Sequence, residues 1–172
     1  MKQGFIQVYT GNGKGKTTAA LGLAIRAAGA KQKVFIGQFL KGKKYSELIA
    51  LKRVNDFITI EQFGATSFII KKPTQKDIDN AQNALKKVSK IIINGKFDLI
   101  ILDEINCAIQ LNLIDLKDVL KILSEKPKHV EIVLTGRDAP MEIIKIADLV
   151  TEMKEIKHYF YKGIVARRGI EK

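Results

Sequence analysis

The stretch Thr10-Gly11-Asn12-Gly13-Lys14-Gly15-Lys16-Thr17-Thr18 is where residue types and spacing most directly imply chemistry. Glycines at 11, 13 and 15 free the backbone to curl, so that successive N–H groups turn toward one centre. A curl of this kind that opens a helix suits the oxygens of a phosphate chain. The amides and the positive helix terminus hold the anion, Lys16 adds a point charge, and the Thr17 hydroxyl can ligate a magnesium ion. The phosphate-loop pattern asks for Gly, four residues, then Gly-Lys-Ser/Thr. Gly15-Lys16-Thr17 satisfies its end, while Thr10 stands where the first glycine is usual. A second stretch, Leu99-Ile100-Ile101-Leu102-Asp103-Glu104, is an apolar strand pattern ending in two carboxylates. From that place a carboxylate reaches a phosphate-bound magnesium directly or through water.

For these groups to meet, the loop and the acidic pair must stand at the same end of one sheet, and the rest of the chain is patterned to build it. Short β-branched or aliphatic runs at 5–9, 34–39, 57–61, 97–102, 130–134 and 149–153 read as strands. Between them lie helical stretches at 16–28, 74–93, 116–123 and 141–146, with Gly29 a natural stop for the first. Thr74, with Asp77 three residues on, predicts a capping box for the longest helix. Residues 64–73 show no period and read as a loop. Strands alternating with helices, and strands apolar on both faces, predict an α/β fold with a mainly parallel sheet covered on both faces, of the P-loop, RecA-like kind. No linker, repeat or low-complexity tract divides residues 1–172, which read as one domain.

Composition narrows the class further. Apolar and charged fractions of 46% and 28% are globular rather than disordered. The single cysteine, Cys107, cannot form an internal disulfide, and the chain enters a strand pattern almost at once; both suit a cytoplasmic protein without a secretory leader. No run of about 18 apolar residues predicts a membrane span. The formal charge of +12 comes from lysines spread along the whole length without interleaved aromatics. It reads as a solvated surface attracting anionic substrates in preference to a nucleic-acid footprint. At this point a small kinase or ATPase, a RecA-like nucleic-acid-binding ATPase and a nucleotide-binding regulator remain open, because fold does not fix function.

Further stretches are more specific. After the loop come Ala19-Ala20-Leu21-Gly22 and Arg26, then Gln38-Phe39-Leu40-Lys41-Gly42, Leu102-Asp103-Glu104-Ile105-Asn106 and Leu134-Thr135-Gly136-Arg137. The last third holds Ala147-Asp148-Leu149-Val150-Thr151-Glu152-Met153, Ile156-Lys157-His158, Gly163-Ile164-Val165-Ala166-Arg167 and Gly169-Ile170-Glu171. Taken in order, these resemble the P-loop type of ATP:corrinoid adenosyltransferase over essentially the whole chain.

That resemblance implies ATP bound in reversed orientation. The 5′ carbon of its ribose then meets a corrinoid cobalt reduced to Co(I), and triphosphate leaves. The corrinoid would be cob(I)yrinic acid a,c-diamide, cobinamide or cobalamin. It implies that Gly11, Asn12, Gly13, Lys14, Gly15, Lys16, Thr17 and Thr18 hold the triphosphate, and that Thr17 and Glu104 ligate magnesium with Asp103 nearby. Phe68 would lie beneath the corrin, displacing its lower axial ligand; a loop phenylalanine tucked into the core is the competing reading. His158 would stand beside the active-site mouth or simply on the surface. Arg26, Arg137 and Lys41 would contact phosphate or corrin side chains, or serve as helix-surface and turn residues. Cys107 is read as core. A homodimer and a flavoprotein electron donor are further implications.

Overall fold

The computed structural model describes residues 2–43, 45–54, 56–65 and 72–171. Six strands form one sheet: β1 (Ile6–Thr10), β2 (Val34–Gln38), β3 (Ile58–Gln62), β4 (Leu99–Asp103), β5 (Glu131–Thr135) and β6 (Leu149–Glu152). Their spatial order is β3-β2-β4-β5-β1-β6, and every pairing is parallel. Parallel neighbours cannot be joined by tight hairpins, so helices cross over between them. These are α1 (Lys16–Gly29), α2 (Ser46–Leu51), α3 (Gln75–Asn94), α4 (Ile105–Gln110), α5 (Leu116–Ser124) and α6 (Met141–Ile146).

The two faces of the sheet carry separate apolar cores. Ala20, Ala24, Ala27 and Ala28 recur at helical spacing along α1 and pack on Val34, Ile36, Leu99, Ile101 and Val133. Small side chains let this helix lie close to the sheet. On the opposite face Ala81, Leu85, Val88 and Ile92 of α3 meet Phe35, Phe39, Ile100 and Leu102, with Val119 and Ile122 of α5 and Ile143 of α6 in the same cluster. The expected capping box is present, since Thr74 and Asp77 each receive the other's backbone N–H. Gly95 in the left-handed region stops α3. Helices α2 and α4 and a 3-10 turn at Tyr159–Lys162 had no expectation in the sequence pattern.

Strand length and register give the sheet one polar edge. Strands β1, β2, β4 and β5 are five residues long, and each ends in a buried polar residue: Thr10, Gln38, Asp103 and Thr135. Gln38 pairs with Asp103 in register, and Leu102 with Leu134, which sets Asp103 beside Thr135. The apolar strands therefore finish in a polar row at their carboxyl edge. In open parallel sheets that edge is where ligands bind.

Candidate active site

The loop between β1 and α1 lies over this polar row. Gly11 has φ of 93° and Gly15 of 124°, conformations that a side chain would strain. Gly13 is needed for a different reason. A Cβ there would come within 2.6 Å of the Met153 carbonyl oxygen. The Gly13 N–H donates to that same oxygen at 2.6 Å, and the Met153 N–H donates to the Thr10 carbonyl at 2.8 Å. The end of β6 thus clamps the loop, and Gly13 shapes the curve with its own donor already engaged. Thr10, in the position of the usual first glycine, receives the Ala139 N–H on its hydroxyl at 3.1 Å. It ties β1 to the segment between β5 and α6.

Helix α1 begins at Lys16 with Gly15 as its N-cap, and no side chain caps that end. Its first amides have no partner within the helix and carry the positive end of the dipole. The Lys16 Nζ donates to the carbonyls of Gly11 at 2.6 Å and Gly13 at 2.8 Å, which places the ammonium inside the curve of the loop. Burial pulls this group below the ordinary lysine range; Glu104 opposes that shift and Arg137 adds to it. Asn12 and Lys14 are exposed on the same loop, and Thr18 is exposed in the first turn of α1.

Asp103 gathers the row. Its Oδ1 accepts from the Thr17 hydroxyl at 2.9 Å and from the Thr135 hydroxyl at 2.7 Å. Its Oδ2 accepts from Gln38 Nε2 at 3.2 Å and faces Lys41 Nζ at 3.0 Å. Gln62 holds Gln38 in place through a bond of 2.9 Å. Lys41 also lies 3.4 Å from the Thr17 hydroxyl and 3.9 Å from Glu47, with the Tyr45 ring 5.5 Å away. Burial disfavours its charge, but the Asp103 carboxylate outweighs burial and holds Lys41 above the ordinary lysine value.

Glu104 follows with φ of 63°, a left-handed conformation uncommon for a residue with a side chain. Its N–H donates to the Thr135 hydroxyl at 3.0 Å, so the strand end is turned to present a second carboxylate toward Lys16. Cys107, expected in the core, is only half-buried beside this carboxylate. Its sulfur accepts the Arg137 N–H at 3.2 Å. Burial, then the Glu104 charge, push its thiol up to about 12, which favours the protonated form at neutral pH.

The other candidates separate by position. Arg137 is exposed on the loop after β5 and near enough to Lys16 to influence it. His158 is half-buried in an open cleft with Gly13, Lys14, Lys154, Ile156 and Tyr159. Arg26 is exposed in the last turn of α1. Ten helical residues, about 15 Å of rise, separate it from Lys16, so within one chain it belongs to the helix surface. Phe68 lies outside the described residues. Gln38 and Thr135 sat in the resembling stretches without a role, and the structure gives them one: they hold Asp103. A neutral strand-end residue has no motif, and only the five-residue rhythm of the strands could have singled them out.

Magnesium favours hard oxygen donors and is bound by one or two carboxylates together with substrate phosphates and water. The Thr17 hydroxyl, the Asp103 carboxylate and the nearby Glu104 fit that requirement, and an ammonium already sits among the first two as a stand-in cation. Among the described residues no group of three or more His, Cys, Asp or Glu could enclose a metal by itself.

Fold and loop together define a P-loop nucleotide-binding protein of the RecA-like α/β class. The flagellar accessory protein FlaH of Methanocaldococcus jannaschii shares the fold, with a TM-score of 0.62 at 14% identity over 88% of this chain and 72% of its own. The family model ATP:corrinoid adenosyltransferase BtuR/CobO/CobP matches residues 2–171, and the chain belongs to that family. A corrinoid adenosyltransferase from a Sinorhizobium species is 37% identical over 174 residues, which cover 99% of this chain and 81% of the relative. Those of Pseudomonas aeruginosa and Escherichia coli are 34% and 33% identical, again over 99% of this chain and over 84% and 86% of theirs. Among the described residues no helix is long and apolar enough to cross a membrane.

Proposed function

We propose that this chain transfers the 5′-deoxyadenosyl group of ATP to the Co(I) centre of a corrinoid, in adenosylcobalamin biosynthesis or salvage. The electron pair of Co(I) forms the cobalt–carbon bond as the bond from C5′ to the triphosphate oxygen breaks, and triphosphate departs with the electrons of that broken bond. The observation that carries this reading is the meeting of Lys16, the first amides of α1 and the Thr17–Asp103 pair at the carboxyl edge of the sheet, in a chain of this family.

The nucleophile carries no proton, so the residues have no base to supply. Their work is to hold the polyphosphate in register and to stabilise charge on the leaving group. Lys16 and the α1 terminus do this directly. Thr17 and Asp103, with Glu104 turned toward Lys16, form the oxygen face that would hold magnesium. That ion, when bound, neutralises part of the triphosphate charge. The cleft past Lys14 toward His158 and Tyr159 offers room for the rest of a large substrate. By the family resemblance Phe68 would form the lower face for the corrin.

We further read residues 1–172 as one catalytic domain of a cytoplasmic homodimer that draws electrons from a flavoprotein. The decisive experiment incubates the protein with magnesium-ATP and chemically reduced corrinoid. A cobalt–carbon spectrum together with intact triphosphate is the expected outcome. Release of ADP or orthophosphate without that spectrum would favour a kinase or ATPase and overturn the proposal.

A further inference from the structure

Three oxygen-bearing side chains surround the Lys41 ammonium. Asp103 Oδ2 stands at 3.0 Å, the Thr17 hydroxyl at 3.4 Å and Glu47 Oε1 at 3.9 Å. Two of these, Thr17 and Asp103, are also bonded to each other at 2.9 Å. A hydroxyl and a carboxylate disposed around one positive charge are the donors a magnesium ion takes from this kind of loop. The Asp103 side chain is only 1% exposed, so its charge needs a counter-ion at all times.

We propose that Lys41 is the resident counter-ion of the divalent-cation position. Its ammonium neutralises Asp103 in the nucleotide-free chain, and the metal that arrives with ATP displaces it. This rests on the reading that Thr17 and Asp103 face that cation.

The surroundings suit a tip that moves on a base that does not. The Lys41 carbonyl accepts the Gly64 N–H at 3.1 Å. A Cβ on the next residue, Gly42, would lie 2.3 Å from the Gly64 carbonyl oxygen, so two backbones are pressed together there. The main chain at 41–42 is thus fixed, whereas the four-carbon stem of Lys41 is flexible. An alternative seat is at hand within the same segment, between Glu47 and the Tyr45 ring, which both attract a cation. Two cations a few ångströms apart in a half-buried site repel strongly, so metal and ammonium exclude each other from the Asp103 oxygens.

The test titrates nucleotide-free protein with Mn2+, read by electron paramagnetic resonance, for the wild type and for Lys41→Met. The substitution removes the charge and keeps the length of the stem. Mn2+ should bind the variant at least about ten-fold more tightly, and should raise its melting temperature more than that of the wild type. Equal or weaker binding by the folded variant overturns the proposal. A second measurement needs no variant. In a structure of the wild type with Mn2+ and ATP, Lys41 Nζ must have left Asp103, and an ammonium still at its present 3.0 Å would also overturn it. If that structure instead holds the metal away from Thr17 and Asp103, the reading of the cation position itself has failed.

Discussion

The Thr17 hydroxyl donates to Asp103 Oδ1 at 2.9 Å, joining the first turn of α1 to the end of β4 across 86 residues of sequence. This bond turns two separate motifs into one site. It also fixes the side chain on which Thr135, Gln38 and Lys41 converge, so Asp103 ties the fold to the candidate site. Asp103→Ala should therefore lose stability as well as turnover. Removing the carboxylate leaves the Lys41 ammonium half-buried without its main partner, a change that costs about 3–5 kcal/mol in buried pairs. Thermal denaturation checks the first effect and the initial rate of adenosylation the second. A variant that melts like the wild type would show that the pair contributes little.

Lys16→Ala should behave differently. Its contacts within the fold are two loop carbonyls, so the melting temperature should move little, while turnover falls by roughly 10²–10³ as the leaving triphosphate loses a charged donor. Burial holds the Lys16 pKa below the ordinary 10.5. If the charged form grips the nucleotide as proposed, ATP affinity should decline as pH rises through that depressed value, before ordinary lysines titrate. For stability the sign is opposite: the folded state binds this proton less tightly than the unfolded chain. The resulting cost is present at low pH and relieved as pH rises toward 10.5. Nucleotide affinity measured against pH, in the wild type and the alanine variant, separates the two.

Gly13→Ala tests the clamp. The added methyl would meet a backbone carbonyl at 2.6 Å, and a carbonyl cannot rotate away as a side chain can. The loop must shift, breaking the bond from Gly13 to Met153, at a cost of about 1–3 kcal/mol. ATP affinity, followed with a fluorescent analogue, should drop sharply. Unchanged affinity would mean that the end of β6 does not set the loop.

Much of this was legible in the sequence because it depends on local pattern. Alternating apolar runs marked six strands within one or two residues, and Thr74-x-x-Asp77 marked the start of α3 because a capping box is a contact three residues long. What escaped was what tertiary contacts decide. Helix α4 is six residues long and begins on a left-handed glutamate, with no periodic stretch to announce it. The strand order, with β1 between β5 and β6, emerges only when crossovers are drawn in space. Lys41 was expected at phosphate or corrin, or in a turn; that the segment after β2 sets it against Asp103 needed the structure. Arg26 was open between a ligand and a helix-surface residue, and the structure places it exposed in the last turn of α1, far from Lys16.

Phe68→Ala addresses the acceptor side. If an apolar ring displaces the lower axial ligand of the corrinoid, its loss should slow the reaction more when the enzyme must work through Co(II) and a reductant than when Co(I) is supplied ready-made. Both rates are measured on the same preparation. Equal losses would remove Phe68 from the reduction step.

Glu171 should hold the C-terminal segment against the cleft. It accepts the Arg167 N–H at 2.8 Å and the Arg167 guanidinium at 3.0 Å, and the Tyr159 hydroxyl as well. Arg167 first and Tyr159 second hold its pKa down at about 2, against an ordinary 4.5. A depressed carboxylate contributes stability that is complete above 4.5 and disappears as pH falls toward 2. Because the link reaches Tyr159, next to His158 in the cleft wall, its loss should loosen the wall and leave the sheet untouched. Glu171→Gln should do at neutral pH what acid does to the wild type. Amide exchange by mass spectrometry reads both, with faster exchange expected over 159–171 and none in β4 or β5. Protection unchanged in the glutamine variant would mean that other contacts seat this segment.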